Sequence, residues 1–344
     1  MRILLIAYKA RSAASFPGVH CPYSQRAASE AFIRACVEAG EIGAKRFGLN
    51  QPRLSSNILR LLKFILSCVY FVGQETRRLV YRLLRIDVAP CCVALCYHSI
   101  SQADTERFAK QMELLCQVTT PLPADNHAPL APNKRYSVVT IDDGFRSTTE
   151  NAIPILVERH IPVAVFVSPG LLETTPEWIT FDDDELGNEQ VVAADALRSW
   201  PKEIVTVGSH TLTHPWLPSS SEEDARAELS ESRRRLSELL GREINLFSFP
   251  YGAWNENLVR MCHDAGYDRV FTSTPTVAFS EATEFVTGRL KADPTDWPLE
   301  FRLKALGAYR WLPKAFALKR LIFRPDQPSS ASNRVHEKSS ITRL

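Results

Sequence analysis

Between Pro90 and Glu300 the chain alternates short apolar runs with segments patterned for helix, and this alternation constrains the fold more than any other feature. The apolar runs are "CVALCYHSI", "SVVTIDD", "PVAVFVS", "EIVTVGSH", "INLFSFPYG", "RVFTS" and "FVTGRL". Between the first two, Phe108, Met112 and Leu115 recur at the i, i+4, i+7 spacing of one helix face. Residues 221–240 form a long charged segment, and Ser221 with Asp224 resembles a capping box at its start. Residues 148–160 and 255–267 also read as helix. Regular alternation of strand and helix argues an α/β fold with a parallel sheet or barrel. In such folds the chemistry gathers where strands end.

The strand ends carry unusual residues. "VVTIDDGFRS" at 138–147 ends a buried run with two adjacent carboxylates, Asp142 and Asp143. Asp-Gly is also a common turn signal, so a solvated turn is the plain alternative. "GSHTLTHPWL" places His210 and His214 four apart, a spacing that on one helical turn puts both imidazoles on the same side. Two histidines and one carboxylate make a frequent open site for a catalytic divalent metal. One of the adjacent aspartates then binds, and its neighbour is free to take a proton from water. In "FSFPYG", Pro250 and Gly252 frame Tyr251 in a tight turn whose amides could face a developing oxyanion. Taken alone it is an ordinary strand exit. His98 in "CYHSI" is a candidate acid in this company, and a core histidine otherwise.

Together, "TIDDGF" at 140–145, "SHTLTHP" at 209–215 and "FPYG" at 249–252 resemble the NodB-homology polysaccharide deacetylases, carbohydrate esterase family 4. The resemblance covers residues 90–315. It implies a distorted (β/α) barrel, a divalent metal with Zn2+ foremost, and removal of N- or O-acetyl groups from glycans. It further implies Asp142 as general base and Asp143, His210 and His214 as metal ligands. Two departures stand out. Many members carry an arginine before the tyrosine motif, where Ser248 and Phe249 stand here. Many also take their acid histidine from a late strand, yet after His263 only His336 remains. A circularly permuted subgroup, typified by poly-N-acetylglucosamine deacetylases, uses an early "YH" strand instead. By resemblance to it, His98 inherits the acid role; separately, Arg289 in "VTGRL" is a candidate to replace the missing arginine near Asp142. The segment "LEFRLKALGAYRWLPKAFALKRL" resembles tails of bacterial members from exopolysaccharide gene clusters.

Charge and hydropathy organise the rest. Residues 1–90 carry 14 Lys and Arg against 5 Asp and Glu, and residues 301–344 carry 10 against 2, so the middle is acidic and both ends basic. Residues 57–86 intersperse Arg60, Lys63, Arg77, Arg78, Arg82 and Arg85 with Leu, Ile, Phe and Val. The uncharged run is too short for a spanning helix, and the pattern suits either a basic amphipathic helix on a membrane surface or a helix packed on the main domain. Upstream, "MRILLIAY" and "SQRAASEAFIRACVEAGE" read as strand, loop and helix, and the opening is a poor secretory signal. The eight cysteines include no C-x-x-C pair and read as thiols in a reducing compartment. The expected organisation is a mostly helical N-terminal extension (1–87), a deacetylase domain (88–315) and a basic disordered tail (316–344). The expected partner is an acetylated glycan or glycolipid, with no nucleic acid, and the expected location is cytoplasmic, peripheral on the inner membrane face. The rival readings are a catalytically silent carbohydrate-binding relative and a hydrolase of small amides.

Overall fold

The computed structural model describes residues 56–176, 189–281, 283–313 and 315. The N-terminal strand-loop-helix reading, most of the acidic loop "FDDDELGNE" and the basic tail lie outside these. The chain divides into two compact units, Met1–Leu61 and Leu62–Leu344, and the barrel belongs to the second.

Helix α1 (Ser56–Leu83) opens the described chain. Eight strands follow: β1 (Cys91–Tyr97), β2 (Thr120–Pro121), β3 (Arg135–Ile141), β4 (Val163–Val167), β5 (Val205–Ser209), β6 (Leu246–Ser248), β7 (Arg269–Thr272) and β8 (Val286–Lys291). Helices α2 (Thr105–Val118), α3 (Ile153–Glu158), α4 (Ala194–Ser199), α5 (Glu222–Leu240), α6 (Glu256–Asp264) and α7 (Pro298–Ala305) lie between and after them. The strand order is β1-β8-β7-β6-β5-β4-β3-β2, and β1 also pairs with β3 over seven residues, Cys91↔Arg135 to Tyr97↔Ile141. That pairing closes seven parallel strands into a barrel, with β2 as an outer flank of β3. The sheet is therefore the expected (β/α) barrel, and the described N-terminal residues are helical.

Period-two alternation decides what each strand residue faces. Val93, Leu95, Tyr97, Val139, Ile141, Val163, Val165 and Val167 join the larger core between barrel and helices. Their neighbours Cys92, Ala94, Tyr136, Val138, Ala164 and Phe166 fill the interior with Leu246 and Phe271. Phe166 and Phe271 meet inside with ring centroids 5.3 Å apart, and burying such a side chain contributes about 1.5–3 kcal/mol. The same parity carried past each strand end sends Asp142, His98 and His210 toward the barrel axis. The helical reading of 148–160 is modified: Thr148–Ala152 form a π-turn before α3. Ser221 caps α5, accepting from the Asp224 amide at 3.0 Å, as its sequence indicates.

Candidate active site

The C-terminal ends of β1, β3, β5, β6 and β8 bring the polar residues together. Asp143 lies one residue beyond Asp142, at φ 67°, and Gly144 follows at φ 60°. Two consecutive left-handed residues turn the chain sharply. Asp142 stays under the barrel mouth while Asp143 reaches toward the β5 loop. Its Oδ1 stands 3.5 Å from His210 Nε2 and 3.3 Å from His214 Nε2. All three side chains are buried.

The two histidines do not sit on a helical turn as their spacing suggested. Residues 210–214 form an irregular loop in which Thr211 (φ 65°) and His214 (φ 59°) are left-handed. The imidazoles converge all the same, with centroids 4.9 Å apart. Such backbone is costly for non-glycine residues and persists where surroundings over-determine it. Here they do. Glu228 on α5 accepts from the Leu212 and Thr213 amides at 2.8 and 2.9 Å and from the Thr213 hydroxyl at 2.6 Å. The Thr211 hydroxyl accepts from the His214 amide at 3.0 Å. Sequence reasoning passed over Glu228, because a glutamate in a charged helix carries no local signal.

His210 Nδ1 lies 2.8 Å from the Ser248 carbonyl, which can only accept. Nδ1 therefore carries a proton, so the neutral ring presents the Nε2 lone pair toward Asp143, and a second proton on Nε2 lets the ring donate to that carboxylate instead. Burial pushes the Asp143 carboxyl up, but hydrogen bonds from both imidazoles outweigh it and hold it far below the usual range. For His210 burial pulls down, while Asp142 and Asp143 together raise it above its ordinary value. His214 moves the other way. Its burial and the neighbouring His210 outweigh the pull of Asp143. The ligand-capable atoms of Asp143, His210 and His214 all lie within 4.8 Å of one another. Two neutral nitrogens and one carboxylate so placed fit an open divalent-metal site.

Asp142 is held differently. Arg289 on β8 donates Nη1 to its Oδ1 at 2.6 Å and Nη2 to its Oδ2 at 2.7 Å. The same Nη2 donates to Ser248 Oγ at 2.7 Å, and Thr140 Oγ1 accepts from Nη1 at 3.1 Å. Ser248 and the Cys96 thiol complete the ring around Oδ2 at 3.3 and 3.4 Å. Burial raises the Asp142 carboxyl, but the Arg289 charge, then His210, bring it down to about 2. The Cys96 thiol is pushed up by burial, so it stays a neutral donor. Arg289 thus stands where the sequence comparison lacked an arginine. Cys96 and Ser248 carry no local signal of this role, since only closure of the barrel sets them against Asp142.

His98 follows β1 and is exposed, unlike the metal-type cluster. A ring nitrogen lies within 4.8 Å of both an Asp142 carboxylate oxygen and Cys96 Sγ. Tyr251 sits at φ 58° in the Pro250–Gly252 turn, its ring 4.6 Å from that of His214. Gly252 is needed at φ 64°, because a Cβ there would come within 2.3 Å of Ser273 Oγ. Tyr251 (53% exposed) and Trp216 (46%) form an open aromatic rim, with centroids 5.6 Å apart.

Residues 130–270 match the family model described as polysaccharide deacetylase, a span that holds both aspartates, both histidines and the tyrosine turn. Over these residues the chain is similar to the polysaccharide deacetylase family. Members of that family are hydrolases acting on carbon–nitrogen bonds other than peptide bonds. It is similar to YxkH of Bacillus subtilis (strain 168), 20% identical over 211 residues, covering 58% of this chain and 71% of that protein. Among solved structures it is similar to IcaB from Ammonifex degensii, with TM-score 0.55 and 22% identity, over 64% of this chain and 98% of that one. It is also similar to a de-N-acetylase from Aggregatibacter actinomycetemcomitans, with TM-score 0.50 and 16% identity, over 62% and 99%. At these identities the structural likeness establishes the polysaccharide deacetylase barrel alone.

Proposed function

We propose that this protein is a metal-dependent polysaccharide deacetylase that removes N-acetyl groups from a glycan or glycolipid, leaving acetate and a free amino sugar. The observation that carries the reading is the Asp143–His210–His214 triangle beside an Asp142 that Arg289 holds ionised. Asp143, His210 and His214 would hold a divalent ion, Zn2+ foremost by its affinity for imidazole and carboxylate. Such an ion supplies Lewis acidity toward the acetyl carbonyl and toward water.

The remaining roles belong to this chain's own groups. Asp142 receives the proton from the attacking water, and Arg289, Ser248 and Cys96 keep its carboxylate aimed while it does so. The Tyr251 amide, turned by its left-handed backbone, donates to the oxyanion as the carbonyl becomes tetrahedral. His98, on the open side of Asp142, protonates the departing amine. Exposed Trp216, Tyr251 and Trp254 favour an extended glycan over a small enclosed amide, because sugar rings stack on open aromatic faces. We assign the deacetylase domain to residues 88–315, the substrate to an exopolysaccharide or its lipid-carried precursor, and the location to the cytoplasmic face of the membrane.

Metal analysis of the purified protein combined with acetate release from a panel of acetylated glycans tests the reading. About one divalent ion per chain and acetate release abolished by chelation are expected. Acetate release that survives complete metal removal would sink the metal-dependent part.

A further inference from the structure

Helix α1 presents two unlike faces. One is seated against the barrel. Phe64 meets Trp297 edge-on at 5.7 Å, Ser67 Oγ accepts from Trp311 Nε1 at 2.9 Å, and Glu75 pairs with Arg135, whose guanidinium lies over the Phe71 ring. The other face carries Leu62, Ile65, Leu66, Val69, Val72 and Leu79, all exposed, with Val69 at 67% and Val72 at 64%. Their spacing makes one continuous stripe along a helix. Lys63, Arg77, Arg82 and Arg85 are exposed along it. The single acid between Leu62 and Ile86 is Glu75, and it is taken up by Arg135. Among the described residues no helix is long and apolar enough to cross a membrane.

We propose that this face of α1 docks on an anionic lipid surface. An aliphatic stripe flanked by cations is the pattern of a helix lying in the interface plane, its apolar side among acyl chains and its cations among headgroup phosphates. A contiguous exposed aliphatic stripe is also more than a freely soluble surface normally carries. A second copy suits the face poorly, because a self-complementary contact would bring the cations Lys63, Arg77, Arg82 and Arg85 of both copies together with no acid on the face to offset them. The helix also has a direction relative to the site. Phe64 touches Trp297, which follows the C-terminal end of β8, whereas Glu75 reaches Arg135 at the start of β3. The stripe therefore begins at the catalytic end. A lipid-held chain would meet membrane-carried glycan; this consequence rests on the deacetylase reading, while the docking does not.

Co-sedimentation of the full chain with vesicles tests the docking without reference to activity. Vesicles of phosphatidylcholine containing phosphatidylglycerol should retain the protein, pure phosphatidylcholine much less, and added salt should release it. Val69→Asp/Val72→Asp, both at solvent-facing positions, should lower partitioning about tenfold or more with an unchanged circular dichroism spectrum. Arg77→Gln and Arg82→Gln should each lower it about fivefold. Failure to bind phosphatidylglycerol vesicles, or binding indifferent to these substitutions, would overturn the proposal. So would a dimer in solution that Val69→Asp/Val72→Asp dissociates, since a second copy would then own the face.

Discussion

Arg289 and Asp142, 147 residues apart, meet as a buried bidentate pair at the mouth of the barrel, with N–O distances of 2.6 and 2.7 Å. The guanidinium is boxed between the interior rings of Phe166 and Phe271, 5.5 and 5.8 Å from their centroids. It has little freedom to turn away. The pair couples the stability of the barrel to the readiness of its base.

Arg289→Ala leaves a buried carboxylate uncompensated. Removing one partner of such a pair costs about 3–5 kcal/mol. A large fall in melting temperature is expected, and Arg289→Met/Asp142→Asn should regain much of it. Equal destabilisation by the single and the double variant would show that packing, not charge, is what Arg289 supplies.

The same pair sets an acid limit. Asp142 lies near 2 in the folded chain against an ordinary 3.8, so the unfolded state takes up its proton first as pH falls. Its contribution to stability is complete above that ordinary value and is lost as pH drops toward about 2. Acid unfolding of wild type should therefore steepen in this window relative to Arg289→Met/Asp142→Asn. Parallel curves would contradict the depressed Asp142.

Asp142→Asn should keep the metal and lose activity by a factor of roughly 10²–10⁴, the range for a general base. Asp143→Asn should lose metal as well. Metal analysis beside acetate assays reads both, and the opposite pattern would mean the two carboxylates have exchanged roles.

Glu228 accepts from the Leu212 and Thr213 amides and the Thr213 hydroxyl, and so pins the loop that bends His210 and His214 together. Glu228→Ala should weaken metal affinity by about 10–100-fold, as loss of supporting groups does elsewhere. Because both carboxylates draw His210 upward, affinity should also fall as pH drops through neutrality. Titration with a competing chelator across pH measures both effects.

His98→Ala should retain metal and slow amide substrates more than activated esters, whose leaving groups depart without a proton. Equal losses on amide and ester would return His98 to a surface residue with no part in the reaction.

The elements and their faces are legible in the sequence because they depend on neighbours along the chain. Period two in "SVVTIDD" and "PVAVFVS" determines strands and which residues point inward, and Ser221 with Asp224 determines where α5 begins. The Asp-Asp and His-x-x-x-His spacings likewise mark the site, since adjacent ligands must leave the same strand end. Tertiary structure alone decided the rest. Arg289 in "VTGRL" is a candidate partner of Asp142 from sequence, but its bidentate grip on that carboxylate exists only because β1 pairs with both β3 and β8. Cys96 and Ser248 become donors to that carboxylate only through the same closure. His210 and His214 meet through left-handed loop backbone that Glu228 holds from a different element, not through the helical turn their spacing suggested. Local propensity acts within a few residues, whereas these contacts join residues brought together by packing, which no short stretch of chain encodes.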